Sequence, residues 1–123
     1  MDFQSLRCVT NDGKHLLYEI VAIKAGELNT NGNIGLVVGA TYPEEMKAIR
    51  ELQPDMLFLI PGIGAQGGDL EATVRYGVDA HGEKAIINSS RQVLYASRGI
   101  DFAEAARKAA LEINEKINNY LTK

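Results

Sequence analysis

Apolar positions along the chain gather into three short runs with longer mixed stretches between them. Ile34-Gly35-Leu36-Val37-Val38, Leu57-Phe58-Leu59-Ile60 and Ala85-Ile86-Ile87-Asn88 are bounded by Gly, Pro, Asn or Asp. Runs of this length predict strands buried in a parallel sheet. Between them the apolar spacing widens to a helical period. Pro43 holds a favoured first helical position, and Glu44 and Glu45 suit the positive end of a helix. Met46, Ile49 and Leu52 then share one face to about Gln53, and Pro54-Asp55 ends the helix. Leu70 to Tyr76 predicts a short helix closed by Gly77.

The flanks read less regularly. Residues 1–13 form a polar lead-in ending in a turn signal, Asn11-Asp12-Gly13. A helix is expected from Lys14 to about Leu28, with Leu16, Ile20, Ile23 and Leu28 on one face and Leu17 and Val21 widening it. Asn29-Thr30-Asn31-Gly32-Asn33 stops it. Past the third run, Ser89-Ser90-Arg91 caps and opens a helix carrying Val93, Leu94 and Tyr95. Gly99-Ile100-Asp101 punctuates, and Asp101 caps a long last helix whose stripe is Ile113, Ile117 and Leu121.

Helices alternating with strands imply an α/β fold with a parallel sheet and right-handed crossovers. Three parallel strands leave two open edges, and helices on one side cannot cover both faces. Residues 1–123 are therefore expected to be the C-terminal part of a (βα)8 TIM barrel, a helix followed by three βα units of one domain. A small open three-layer sheet is the alternative.

Composition narrows the function classes. The chain has 123 residues, 46% hydrophobic and 24% charged, as in soluble globular proteins. A net charge of −3 gives no footprint for nucleic acid. No apolar run is long enough for a membrane span, and Met1-Asp2-Phe3 is not the start expected of a signal peptide. Cys8 is the only cysteine, which excludes an intramolecular disulfide and fits a reducing cytoplasm. His15 and His81 lie far apart, and no metal-ligand spacing is present.

The chemistry concentrates after the central run. Pro61-Gly62-Ile63-Gly64-Ala65-Gln66-Gly67-Gly68-Asp69 holds four glycines and one uncharged polar side chain. Glycine frees backbone N–H groups to turn toward an anion, and strand–glycine loop–helix is how α/β proteins present phosphate sites. The plainer alternative is a tight turn. Arg91 stands just past a strand end, where barrel active sites lie, and its planar fork suits a phosphate. The alternative for Arg91 is a solvated first-turn arginine, although a cation at a helix N-terminus is electrostatically unfavourable.

Three ordered motifs carry a family resemblance: Val38-Gly39-Ala40-Thr41-Tyr42-Pro43-Glu44-Glu45, then Phe58 to Asp69, then Ile87-Asn88-Ser89-Ser90-Arg91. Together they resemble orotidine 5′-monophosphate decarboxylase, in its longer bacterial-type branch, over nearly the whole chain. The resemblance implies a TIM barrel acting on a nucleotide, orotidine monophosphate (OMP), to give uridine monophosphate (UMP) and CO2 in pyrimidine synthesis. It implies no metal or organic cofactor and a homodimeric, cytoplasmic parent. By the same resemblance Gln66 and Arg91 hold the 5′-phosphate, helped by the backbone of Ser90 and by Gly64 and Gly67, while Pro61, Thr41 and Ala65 line the pocket.

The departure is equally specific. The family's Asp-x-Lys-x-x-Asp array, whose lysine protonates the developing carbanion, is absent. Asp12-Gly13-Lys14 matches for three residues, but Leu17 stands at the next acidic position. The family's serine loop on the pyrimidine is missing too. The chain is thus expected to carry the phosphate-gripping part without a general acid. The missing strands would come from another polypeptide, or the open edges would pair with a second copy. The remaining alternatives are a related sugar-phosphate barrel enzyme and an inactive, phosphate-binding or self-associating fragment.

Other polar positions have simpler readings. Asp69 is expected to be a helix N-cap. Thr41 and Tyr42 either line the pocket or, for Thr41, cap the Pro43 helix. Asn88 and Ser89 are expected to orient the loop rather than touch substrate. His81 reads as a surface residue, Tyr95 and Tyr120 as packing, and Cys8 as an unactivated thiol.

Overall fold

The computed structural model describes residues 3–11, 13–64 and 68–122. After a single 3-10 turn at Phe3–Ser5, strands β1 (Arg7–Thr10) and β2 (Gly13–Leu16) form an antiparallel hairpin. There follow α1 (Leu17–Leu28), β3 (Gly35–Val37), α2 (Pro43–Leu52), β4 (Leu57–Pro61), α3 (Leu70–Gly77), β5 (Ala85–Asn88), α4 (Arg91–Leu94) and α5 (Phe102–Leu121). Strands β3, β4 and β5 make one parallel sheet in chain order, with Val37 opposite Leu59, Leu59 opposite Ile86, and Pro61 opposite Asn88.

The three predicted strands and the helices at Pro43 and Leu70 form close to their expected bounds. The lead-in does not. It pairs as a hairpin, with Arg7 opposite Leu16 and Thr10 opposite Gly13. This pairing takes residues 14–16 out of the expected helix. The backbone N–H of Leu16 donates to the Glu19 carboxylate at 2.7 Å, which satisfies the N-cap amide and starts the helix at Leu17.

Alternation along the strands separates two environments. Phe58, Ile60, Ala40 and Met46 are fully buried between the sheet and its helices, with Val38, Ile49, Met56 and Ile63 around them. Residues one step away face the other side and are open: Val37 is 72% exposed and Ile86 53%, beside Leu57 and Leu59. The sheet has a core on one face only, as expected of helices that flank a single side.

α1 follows the same logic. It buries Ala22 and packs Tyr18 and Ala25 against the core, while Val21 and Leu28 of the expected apolar face stay exposed. Ile113 is the one buried residue among the described part of α5. Asp101 occupies the N-cap of α5, but its side chain accepts from the Ser97 hydroxyl at 2.6 Å instead of capping. Tyr95, expected to pack, is mostly exposed.

The lower end of the sheet is tied by Arg50. Its guanidinium donates to the carbonyls of Met56 (2.7 Å), Gln53 (3.1 Å), Pro54 (3.2 Å) and Lys84 (3.2 Å), and through two nitrogens to Gly77. These carbonyls close α2 and α3 and lead into β4 and β5. A cation here meets the negative ends of two helices.

Candidate phosphate site at the strand ends

The site is built at the C-terminal ends of β3, β4 and β5, which lie side by side because the strands are parallel. The backbone of β3 keeps pairing beyond its last residue: Val38 N–H donates to Leu59 (3.0 Å) and Ala40 N–H to Pro61 (2.9 Å). This brings Gly39-Ala40-Thr41, Pro61-Gly62-Ile63-Gly64 and Asn88-Ser89-Ser90-Arg91 to one edge.

The glycine segment is fastened at its base. Gly68 N–H donates to Gly62 at 3.2 Å, and Ile63 bridges Gly68. A Cβ on Gly68 would lie 2.7 Å from the Gly62 carbonyl and 2.8 Å from Ala40 Cβ, so only glycine lets these backbones meet. Asp69 follows as the N-cap of α3, accepting from Glu71 N–H at 2.9 Å and Ala72 N–H at 3.3 Å, as expected for it. Ala65, Gln66 and Gly67 lie outside the described residues.

Past the end of the neighbouring strand β5, Ser90 and Arg91 are exposed, and Arg91 is the first residue of α4. No carboxylate among the described residues pairs with the Arg91 guanidinium. The turn's backbone bonds begin with Val93 N–H and Leu94 N–H, both donating to the Ser90 carbonyl (3.2 and 2.8 Å). The Ser90 hydroxyl makes no cap bond and accepts from Asn88 Nδ2 at 3.3 Å. Pro61 is half-buried beside Asn88, and Thr41 is exposed at the end of β3. Tyr42, not Thr41, is the N-cap of α2. His81 is exposed in the α3–β5 loop, away from this edge.

Sequence reasoning passed over Gln92. Its Oε1 lies where a Cβ on Gly64 would be, 2.6 Å from that position, so it packs α4 against the glycine segment. Gly64 is at φ +80°, which also favours glycine. The signal available was Ser89-Ser90-Arg91-Gln92, a serine followed three residues later by glutamine; Ser89 Oγ does approach Gln92 Oε1, at 3.5 Å.

The edge therefore offers a guanidinium without a carboxylate partner among the described residues, on the helix whose Gln92 packs on the glycine-fastened turn, a chemistry suited to an anion. Among the described residues, no group of three or more His, Cys, Asp or Glu is placed to hold a metal ion. Nor is any described helix long and apolar enough to cross a membrane.

Comparison with known proteins agrees with this geometry. The model of the orotidine 5′-phosphate decarboxylase / HUMPS family matches residues 1–109. The chain is 52% identical over 119 residues to an orotidine 5′-phosphate decarboxylase of Dehalococcoides mccartyi, covering 97% of this chain and 44% of that protein. It is 59% identical over 110 residues to one of Cupriavidus metallidurans, covering 89% of this chain and 40% of that protein. Among solved structures, the OMP decarboxylase of Leishmania donovani superposes with a TM-score of 0.77 at 40% identity, over 99% of this chain and 44% of that one. The chain thus spans less than half the length of these relatives, and its sheet and helices are a section of their TIM barrel fold. By the extent of the family match and the identity to these relatives, the chain belongs to the orotidine 5′-phosphate decarboxylase / HUMPS family.

Proposed function

We propose that residues 1–123 supply the C-terminal, phosphate-gripping section of an OMP decarboxylase, a carboxy-lyase that converts OMP to UMP and CO2. The observation that carries this reading is Arg91: a cation with no carboxylate partner among the described residues, opening α4 just past the end of β5, one residue before the Gln92 that packs on Gly64. In this role Arg91 takes two oxygens of the 5′-phosphate, with the Ser90 and Arg91 backbone and Gln66, Gly64 and Gly67 completing the grip. Pro61, Thr41 and Ala65 border the nucleotide. Energy gained on the remote phosphate serves to hold the pyrimidine where decarboxylation occurs. The Asp-x-Lys-x-x-Asp array that would protonate the carbanion is not in these residues. The chemical step thus belongs to the rest of the barrel, and the parent is a cytoplasmic homodimer in this reading.

The test is a calorimetric titration of the chain with UMP beside Arg91→Ala and Gln66→Ala. Binding that both variants lose supports the reading; binding unchanged in Arg91→Ala rejects it. A second reading, self-association, is favoured by the open sheet face around Val37 and Ile86. Sedimentation of the chain as a clean monomer would reject that one.

A further inference from the structure

We propose that Asn88 is a further ligand-contacting residue of this site, its carboxamide oxygen accepting from a ribose hydroxyl of the nucleotide whose phosphate Arg91 holds. The inference rests on the nucleotide reading above and adds a contact to it. It starts from the strand register. On the open face of the sheet, Val37, Leu59 and Ile86 lie side by side as one apolar layer. One step nearer the C-terminal edge, Pro61 stands opposite Asn88. Burial along β5 alternates, so Asn88 shares the open face with Ile86, while Ile87 turns to the helices. Asn88 is thus the polar residue that interrupts an apolar face at the edge where Ser90 and Arg91 gather.

The carboxamide is already oriented. Its Nδ2 donates to Ser90 Oγ at 3.3 Å, so the group is tied to the residue just before Arg91. The oxygen has no partner among the described residues. Asn88 is exposed, so water meets this oxygen in the free chain, and a carboxamide so held presents an acceptor that a ligand's donor can take over. A phosphate oxygen is itself only an acceptor. A sugar hydroxyl donates, and in a nucleotide 5′-phosphate the sugar is the next group in from the phosphate. Asn88 lies three residues before Arg91, on the open face of the sheet at the strand ends.

The experiment follows amide and carboxamide NMR signals of the chain during titration with UMP, ribose 5-phosphate and inorganic phosphate, and repeats it on Asn88→Ala. The expected result is that all three ligands move the Arg91 amide, whereas only the two sugar phosphates move the Asn88 side-chain signals. Asn88→Ala should weaken UMP and ribose 5-phosphate roughly tenfold, the worth of one hydrogen bond, with inorganic phosphate unchanged. If Arg91 responds and Asn88 does not, or if Asn88→Ala weakens inorganic phosphate equally, the ribose contact is wrong while the phosphate site stands. If no ligand moves Arg91, the nucleotide reading falls and this inference falls with it.

Discussion

The guanidinium of Arg50 lies over the ring of Phe58, 3.6 Å from its centroid, and both side chains are buried. The ring face supplies negative quadrupole to a cation whose edges are filled by backbone carbonyls. Burial lowers the Arg50 pKa from its ordinary value, and the charges of Asp79 and Asp55 oppose that shift. Arg50→Ala should strand several carbonyls and cost about 3 kcal/mol, taking one to three for each group left dry and allowing for water entry. Arg50→Lys, which keeps charge but loses the fork, should recover less than half of the loss. Urea denaturation of both variants is the measurement, and a lysine variant as stable as the parent would refute the clamp.

Thr73 is a buried polar residue of the opposite kind. It is fully buried in α3, and its hydroxyl has no hydrogen-bond partner among the described residues. Thr73→Val keeps the shape and removes the dry hydroxyl, so stability should rise by about 1 kcal/mol. Thr73→Ser keeps the hydroxyl and opens a methyl-sized gap, so it should lose about 1 kcal/mol. Thermal unfolding of the pair gives the comparison; a loss in Thr73→Val would show that the hydroxyl is satisfied in solution.

Acid sensitivity has a local source in the α3–β5 loop. The Asp79 carboxylate accepts from Glu83 N–H at 2.8 Å and His81 N–H at 2.9 Å. The Glu83 bond is the main reason its pKa is lowered, with the His81 bond and the charges of His81 and Arg50 adding and partial desolvation opposing. A folded pKa below the unfolded one gives stability that is present above about pH 4 and lost as pH falls through the folded value. Asp79→Asn keeps an acceptor but does not titrate. Its melting temperature should fall less steeply than the parent's below about pH 4, and parallel acid limbs would rule the assignment out.

Neighbouring residues on β4 should respond differently. Ile60 is fully buried and Leu59 is 40% exposed on the open face. Ile60→Ala should cost about 3 kcal/mol, the usual range for a core isoleucine, and Leu59→Ala under about 1 kcal/mol. Equal losses in the 123-residue chain would mean that the open face is covered, as by a second copy.

What was legible in the sequence was local. Leu57 to Ile60 and Ala85 to Asn88 announce strands by unbroken apolar runs, and Gly68-Asp69 announces the start of α3 by its cap. The hairpin was hidden because Lys14, His15, Leu16 and Leu17 continue the helical spacing of Ile20 and Ile23. Only the pairing of Arg7 with Leu16 decides otherwise, and pairing across a turn leaves no period. The Arg50 clamp was not read at all, since the two acceptors that tie α3 and β5 into it, Gly77 and Lys84, lie 27 and 34 residues away. The position of Arg91, opening a helix just after a strand, was legible from the apolar run before it. Gln92 was not, because its role depends on Gly64 approaching from another βα unit.

The Arg50 clamp and the Arg91 edge sit at opposite ends of the same strands. β4 begins beside Met56 and Phe58, which bind Arg50, and ends at Pro61, beside Asn88. In the proposed reading, stability and recognition are thereby entrusted to different residues of one scaffold. If the upper edge binds the phosphate as proposed, ligand preference there is free to drift by substitution without loosening the lower one, and the fold stays unchanged while the site changes.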